Sequence, residues 1–464
     1  MKSPRSERLE AIRKRLAGRK IVWFGTRGAD AQPLLEIPEL TDCFSQVAPL
    51  GALKLRTELC LEVMRGHRVD LNTYDIDLDS SEEAQQLHRE LVRACSSASV
   101  LVAYRPARFL TSAYFPRTHF VEYLGMFHES QMAFEHKPWV ESMLREEGIR
   151  VVPWRYFGKV DLRFLEDAFR SGPLVVRANR SSGGVGLTLV EEPTGLPSRL
   201  DVGQDRFVAV APFLWPNIPL NVSGCVFPGG DVRLYAPSLQ LIGTGACTAR
   251  RFGYCGNDFA SIRDIDTKIL DQFEQLAMQT GKNLWRHGYL GTFGLDALIY
   301  KGQVYVTEVN PRFQGSSALA ARLCAGLDLP DLYLDHLAAF LGLDPSPLVP
   351  LRTLAWEQQA KAQVIRYNLH GGPVTRKPAA ELPRFDGSQE SPQLLPEIGV
   401  SVAHEAILFR LVVNRRVTED GYRIDPSAEQ TVRSIAQALF EPTARLSSGP
   451  LTPAAVDPAE CLPS

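Results

Sequence analysis

The stretch Tyr305-Val306-Thr307-Glu308-Val309-Asn310-Pro311-Arg312-Phe313-Gln314-Gly315-Ser316-Ser317 decides how the rest of this chain is read. An apolar-alternating strand ends in a carboxylate, with an amide two residues on and an arginine two residues after that. Side chains at i and i+2 of an extended segment point to the same side, so Glu308, Asn310 and Arg312 can enter one site. Two oxygen donors for a hard cation beside a guanidinium suit a metal–phosphate centre. Taken alone, the stretch also reads as a strand end with a solvated polar turn, and its context has to choose.

The preceding segment, Gly291-Thr292-Phe293-Gly294-Leu295-Asp296-Ala297-Leu298-Ile299-Tyr300, supplies that context. An acid inside an apolar strand is costly unless it is paired or bound to a metal. Lys301-Gly302 is a tight turn, which makes Gly291–Tyr300 and Val304–Val309 a hairpin. Asp296 and Glu308 can then face each other, and two carboxylates so placed repel unless a cation lies between them. An edge-strand Asp296 exposed to water is the plainer alternative.

Further upstream, Pro173-Leu174-Val175-Val176-Arg177-Ala178-Asn179-Arg180-Ser181-Ser182-Gly183-Gly184-Val185-Gly186-Leu187 sets an arginine on an apolar strand before a Ser/Gly-rich loop. Glycines let backbone N–H groups approach phosphate oxygens closely, although many such loops are ordinary hairpins. Before it, Lys137 opens a helix with Pro138 in its first turn, where the missing N–H costs little.

The remaining pattern is read more coarsely. Short apolar runs at Lys20–Gly25, Cys43–Leu50, Arg68–Tyr74 and Ser99–Tyr104, with helical segments at Arg5–Leu16, Leu53–Gly66 and Ser81–Cys95, suggest a parallel α/β sheet. Gly25–Gly28 is not a G-x-G-x-x-G fingerprint, which argues against a dinucleotide site there. The middle region reads as strands at Arg206–Ala211, Leu220–Val226 and Val232–Leu241, then a long amphipathic helix at Ser261–His287. Helices Ala318–Cys324 and Pro330–Leu341 follow the hairpin. After a linker at Pro345–Pro350, strands at Ala362–Tyr367 and Ala403–Asn414 and a helix at Ser427–Leu439 suggest a small α+β lobe. Glu441–Ser464 reads as a frayed tail.

Lys137, Arg177, a Gly-rich loop, Asp296 and Glu308-x-Asn310-x-Arg312, in that order, closely resemble the ATP-grasp superfamily, in its biotin carboxylase and carbamoyl-phosphate synthetase branch. The resemblance covers about Leu124 to Leu341. It implies a Rossmann-like α/β domain preceding the grasp (1–130), a grasp of two α+β subdomains (131–345), a small C-terminal α+β domain (351–440) and a flexible tail (441–464). By the same resemblance Lys137 and Arg177 match residues that contact ATP phosphates. Ser181, Ser182, Gly183, Gly184 and Gly186 match the phosphate-covering loop. Asp296, Glu308 and Asn310 match magnesium ligands, and the twelve-residue step from Asp296 to Glu308 equals that in biotin carboxylase. Arg312 matches the arginine that steadies the reacting anion, and with Asn310 it is the expected catalytic pair. Leu298 matches the apolar residue under adenine. Ala211-Pro212-Phe213-Leu214 falls at the adenine-binding hinge, with Ala211 where members often carry glutamate.

The resemblance implies ATP with Mg²⁺ (two ions, with Mn²⁺ as a substitute) and an ADP-forming ligase joining a carboxylate to an amine through an acyl phosphate. Two other readings compete: a bicarbonate-phosphorylating carboxylase, and an ATP-binding regulator without catalysis. The segment Gln240–Asn257 lacks the arginine/glutamine-rich signature of biotin carboxylase, and there is one grasp unit without duplication. The layout resembles the stand-alone, pheganomycin-type peptide ligases of bacterial secondary metabolism. That implies amino acid or short peptide substrates and is compatible with a homodimer. Gln240, Arg251, Tyr254 and Asn257 are candidate substrate contacts, because their loop should flank the phosphates.

Bulk properties agree with an ordinary globular chain. With 464 residues, two to four domains are expected. A hydrophobic share of 45% and a net charge of −2 argue against a nucleic-acid partner held by bulk charge. Eight scattered cysteines with no C-x-x-C pair argue against a zinc site or disulfide framework, and for a reducing compartment. No apolar window is long enough for a membrane span, and the basic start lacks an apolar signal core, so a cytoplasmic location without a membrane partner is expected.

Overall fold

The computed structural model describes residues 2–95, 98–111, 121–157, 168–169, 172–178, 183–192, 208–378 and 390–443. The N-terminal region is a parallel sheet in the spatial order Thr57–Cys60, Leu40–Val47, Lys20–Arg27, Ser99–Ala103, Val121–Tyr123. The chain starts in the middle strand, works outward to one side, then crosses to the other. The switch of direction therefore lies between Lys20–Arg27 and Ser99–Ala103. Trp23, Val100 and Val102 fill one face and Val22, Phe24 and Leu101 the other, as a sheet covered on both sides requires. Helix Glu82–Ala94 covers the second face through Ala84, Leu87 and Leu91.

Two expectations for this region are corrected. Leu53–Gly66 is not one helix: Thr57–Cys60 pairs in parallel with Asp42–Ser45, and only Leu61–Arg65 is helical. An open sheet edge outweighed local helical pattern. Arg68–Tyr74 is not a strand of this sheet. His67–Arg68 pairs with Ser401–Val402 in a separate four-stranded sheet, and Asp70 then turns the chain by accepting from the Asn72 amide N–H.

Two antiparallel sheets follow the N-terminal region. The smaller runs Arg155–Phe157, Val208–Pro212, Leu174–Ala178, Leu187–Val190. The larger runs Gln303–Asn310, Gly291–Tyr300, Ile218–Val226, Ser238–Ile242, Tyr254–Asp258, Ala362–Tyr367, Ile407–Val413, with Val232–Leu234 paired beside Ile218–Val226. The expected strand Val232–Leu241 is thus two strands, divided around Pro237, which has no N–H to donate to a ladder. The expected Ser261–His287 helix is a 3₁₀ turn, Ser261–Asp264, followed by Thr267–Arg286. That helix packs Leu270, Phe273, Ala277 and Leu284 against Phe293, Leu295, Val304 and Val306 of the hairpin.

The segment 351–440 does not stand apart: two of its strands extend the larger sheet, Gly256 pairing with Val364 and Val364 with Leu411. Its helix, Pro426–Leu439, covers them through Val432 and Ile435. The expected tail begins in a strand, since Phe440–Pro442 pairs with Val374–Arg376, and residues 444–464 lie outside the described residues.

One buried ion pair ties the two ends of the chain together. Arg68 donates to Glu62 through Nε (2.5 Å) and Nη2 (2.8 Å), and through Nη1 to the carbonyls of Leu394 (2.7 Å) and Ile407 (2.8 Å). Glu62 accepts in turn from the Ala48 N–H. Removing one partner of such a pair strands a buried charge. Arg68→Ala is expected to lower unfolding free energy by about 3–5 kcal/mol, measured by urea denaturation. A change within experimental error would show that this link carries no stability.

Candidate active site

The hairpin Gly291–Tyr300/Gln303–Asn310 closes through Lys301 (φ 50°) and Gly302 (φ 71°), as the sequence predicts. Asp296 stands opposite Glu308, but the next pair is Ala297 with Val306, so Thr307 is an extra residue in a β-bulge. The bulge decides which way the carboxylate points. Strict alternation would put Val304, Val306, Glu308 and Asn310 on one face. Val304 and Val306 are in the core, and beyond the bulge the core residue is Val309. Glu308 and Asn310 are thereby turned into a cavity together with Thr307 and Arg312. On the facing strand Leu295 and Ala297 are in the core, while Asp296 and Leu298 face the same cavity.

Asp296 is embedded in amides. Its Oδ1 accepts from Asn221 (2.7 Å) and Gln314 (3.3 Å), and its Oδ2 from Asn310 (3.0 Å). Asn221 also donates to Gln314 (3.0 Å). Gly294 makes room for this: a Cβ there would come within 1.9 Å of the Gln314 side chain. Burial, then the charge of Glu308, pushes the Asp296 carboxyl up to about 6 against those donors. Burial also pushes Glu308 upward, but the Lys137 ammonium, assisted by Arg312 and Arg177, overrides it and holds Glu308 below the usual carboxylate range. Lys137 Nζ lies 2.7 Å from Glu308 Oε1. Two carboxylates that resist joint ionisation, beside an amide oxygen, fit a hard divalent cation completed by phosphate oxygens. Among the described residues no cluster of three or more His, Cys, Asp or Glu offers an all-protein cage.

The opposite wall comes from the smaller sheet. Arg177 is buried, bonds to Glu141, and lies 4.0 Å from the Trp154 ring centroid. Its Nε has no hydrogen-bond partner among the described residues. Tyr156 also donates to Glu141. Ala211 and Leu214 line the cavity, as does Leu298 across from them. Gly183 and Gly184 line it too; Gly186 does not. Gly184 has φ 82°, and a Cβ there would sit 2.0 Å from the Phe252 carbonyl oxygen, so only glycine fits. Ser181 and Ser182 lie outside the described residues.

The structure thus brings Lys137, Arg177, Gly183, Gly184, Ala211, Leu214, Asp296, Leu298, Glu308, Asn310 and Arg312 around one cavity of about 320 Å³. Arg312 is braced by Glu135 (3.0 Å). Of the four loop residues expected to meet substrate, Gln240 and Tyr254 line the cavity. Arg251 instead pairs with Glu191 on the surface, and Asn257 is buried, donating to Ser238 (3.0 Å). Sequence reasoning missed Asn221, Gln314, Glu141 and Arg27. Asn221 had a signal: it is an amide inside the apolar strand Ile218–Val226.

Comparison with known proteins agrees with this architecture. Residues 144–316 match the family model described as ATP-grasp domain. None of the curated proteins compared matches the chain. Among solved structures, Rhizobium etli pyruvate carboxylase T882A is similar at 13% identity and a TM-score of 0.61, over 91% of this chain. This chain spans only 37% of that one. The biotin carboxylase domain of Hydrogenobacter thermophilus 2-oxoglutarate carboxylase, in complex with MgADP, ADP and bicarbonate, is similar at 11% identity and a TM-score of 0.60, over 90% of each chain. Phosphoribosylamine–glycine ligase from Thermotoga maritima is similar at 13% identity and a TM-score of 0.55, over 91% of this chain and 97% of that one. The chain has the biotin-carboxylase-like ATP-grasp fold, with an ATP-grasp domain matched at residues 144–316.

Proposed function

We propose that this protein is an ATP- and Mg²⁺-dependent carboxylate–amine ligase that forms an amide through an acyl phosphate and releases ADP and phosphate. The observation that carries this reading is the Asp296–Glu308 pair, turned by the Thr307 bulge into the cavity that also holds Lys137, Arg177 and Arg312. Phosphoribosylamine–glycine ligase, whose name pairs an amine with an amino acid, shares the fold.

Asp296, Glu308 and Asn310 would hold magnesium, whose chemistry is to neutralise charge on the phosphate oxygens. Lys137 and Arg177 bind the phosphates, and the backbone N–H groups at Gly183 and Gly184 cover them. Leu298 and the Ala211–Leu214 segment form the apolar bed for adenine. Arg312 orients the acid. A carboxylate oxygen attacks the γ-phosphorus, the bond from that phosphorus to the β–γ bridging oxygen breaks, and ADP leaves with the electron pair. The amine nitrogen then attacks the acyl carbon, the carbon–oxygen bond to phosphate breaks, and the amine loses a proton to phosphate or solvent. The protein positions the reactants and keeps water from the acyl phosphate. Amino acids or short peptides are the substrates proposed.

Bicarbonate phosphorylation is the second reading, favoured by the likeness to a biotin carboxylase domain with bound bicarbonate. Against it stands the Gln240–Asn257 segment without the arginine/glutamine-rich signature.

Glu308→Gln and Asn310→Ala are each expected to cut Mg²⁺-dependent ATP turnover by at least about a hundredfold, with circular dichroism and melting temperature preserved. Turnover unchanged in either variant would remove that residue from the metal site. Product analysis should find ADP and phosphate in equal amounts; stoichiometric AMP and pyrophosphate would rule out γ-phosphoryl transfer. Amines should stimulate ADP release, with mass detection of the new amide. Bicarbonate-dependent release insensitive to amines would replace the ligase by the carboxylase reading.

A further inference from the structure

The cavity does not end at the phosphate-binding residues. It continues to the carboxyl ends of Lys20–Arg27 and Ser99–Ala103, where Arg27 and Tyr104 face it. These two strands flank the point where the N-terminal sheet reverses its direction of growth. In open α/β sheets the crevice outside the carboxyl ends at such a switch point is where ligands sit.

The charge there is unbalanced. Arg27 donates through Nε to Asp30 (2.6 Å) and through Nη2 to the Tyr104 hydroxyl (2.8 Å). Arg410 donates to the other oxygen of the same Asp30 (3.2 Å). Arg27, Asp30 and Arg410 are all buried, so among the described residues two guanidinium groups share one carboxylate. A net buried positive charge is costly and favours an anion in contact with it. Of the two arginines, Arg27 lines the cavity. Its guanidinium carbon lies 5.3 Å from the Tyr104 ring centroid. The Phe313 N–H donates to the Tyr104 carbonyl (3.3 Å), which brings the neighbouring Arg312 to the same residue, and Arg312 lines the cavity too.

Beside this anion-seeking corner the wall is apolar. Ile365, Tyr367 and Ile407 belong to one hydrophobic cluster against which Leu71 and Tyr254 pack, and all five side chains also line the cavity. Arg27 pairs across the N-terminal sheet with Val47, a member of the same hydrophobic cluster, which sets the apolar wall beside Arg27. Bicarbonate has no group to fill such a wall.

We infer that this part of the cavity is the acid-substrate subsite: Arg27, with Arg312 across Tyr104, binds the carboxylate, and Leu71, Tyr254, Ile365, Tyr367 and Ile407 receive an apolar or aromatic substituent. The inference rests on the ligase reading and narrows it to organic acids with a hydrophobic arm.

The test is calorimetric titration of the full chain, in the presence of MgADP, with bicarbonate, acetate, butyrate, hexanoate, octanoate and 3-phenylpropionate. Affinity should rise about three- to fourfold per added methylene until the compartment is full, with bicarbonate and acetate weakest. Arg27→Gln should weaken hexanoate about ten- to a hundredfold, with MgADP affinity and melting temperature unchanged. If that variant does not fold, Leu71→Asp, at a half-buried turn position, should abolish the dependence on chain length instead. A flat series, no acid binding, or bicarbonate binding as well as hexanoate overturns the subsite. Amine-stimulated ADP release is measured independently, so a flat series with intact amine dependence removes the subsite and leaves the ligase.

Discussion

Two carboxylates held face to face where water cannot fully solvate them are the constraint around which this molecule is built. Asp296 and Glu308 sit on neighbouring strands, and the charge of Glu308 adds to burial in raising the cost of ionising Asp296. The fold meets that cost unequally. Asp296 receives three amide donors, from Asn221, Gln314 and Asn310, while Glu308 receives the Lys137 ammonium. Each of these partners requires a further arrangement. Asn221 must stand on the adjacent strand, Gln314 must lie close over Gly294, and Lys137 must open its helix beside the strand end.

Much of this was legible in the sequence, and what was missed follows a pattern. The hairpin, its two-residue turn and the shared direction of Glu308, Asn310 and Arg312 followed from local periodicity and turn chemistry. The bulge at Thr307 did not, because it depends on which residues the neighbouring strand offers. The Thr57–Cys60 strand was read as helix for a related reason: its pairing with Asp42–Ser45 is a tertiary gain invisible to a local window. Continuation of the larger sheet into Ala362–Tyr367 and Ile407–Val413 was also hidden, since the linker at Pro345–Pro350 looks like a boundary. Of the residues around the cavity, the sequence reading named Glu308, Asn310 and Arg312 of the quoted stretch and Gly183 and Gly184 of the loop, and it passed over Gln314 on that same stretch. Arg27 was passed over because an arginine after a strand carries no pattern until the sheet order is known.

The larger sheet has an organising role that its length alone does not convey. At one end it presents the carboxylates; near the other, Ile365, Tyr367 and Ile407 line the same cavity. The N-terminal sheet reaches this cavity through Arg27 and Tyr104, and Arg68 ties that region to the carbonyls of Leu394 and Ile407. Helix Pro4–Leu16 adds a second tie, with Arg5 paired to Asp331 (2.6 Å) and Arg8 to Asp335 (3.2 Å).

That shared cavity bears on how such chains can evolve. The sequence has the texture of separable modules, with a proline-rich joint at Pro345–Pro350. The wall of the cavity is nevertheless drawn from early, middle and late segments at once, with Arg27 and Leu71 from the first, Asp296 and Glu308 from the second, and Ile365 and Ile407 from the third. Recombination that replaced the first hundred or so residues with those of a relative would therefore rebuild part of the chamber, so the segments around it are not independent modules.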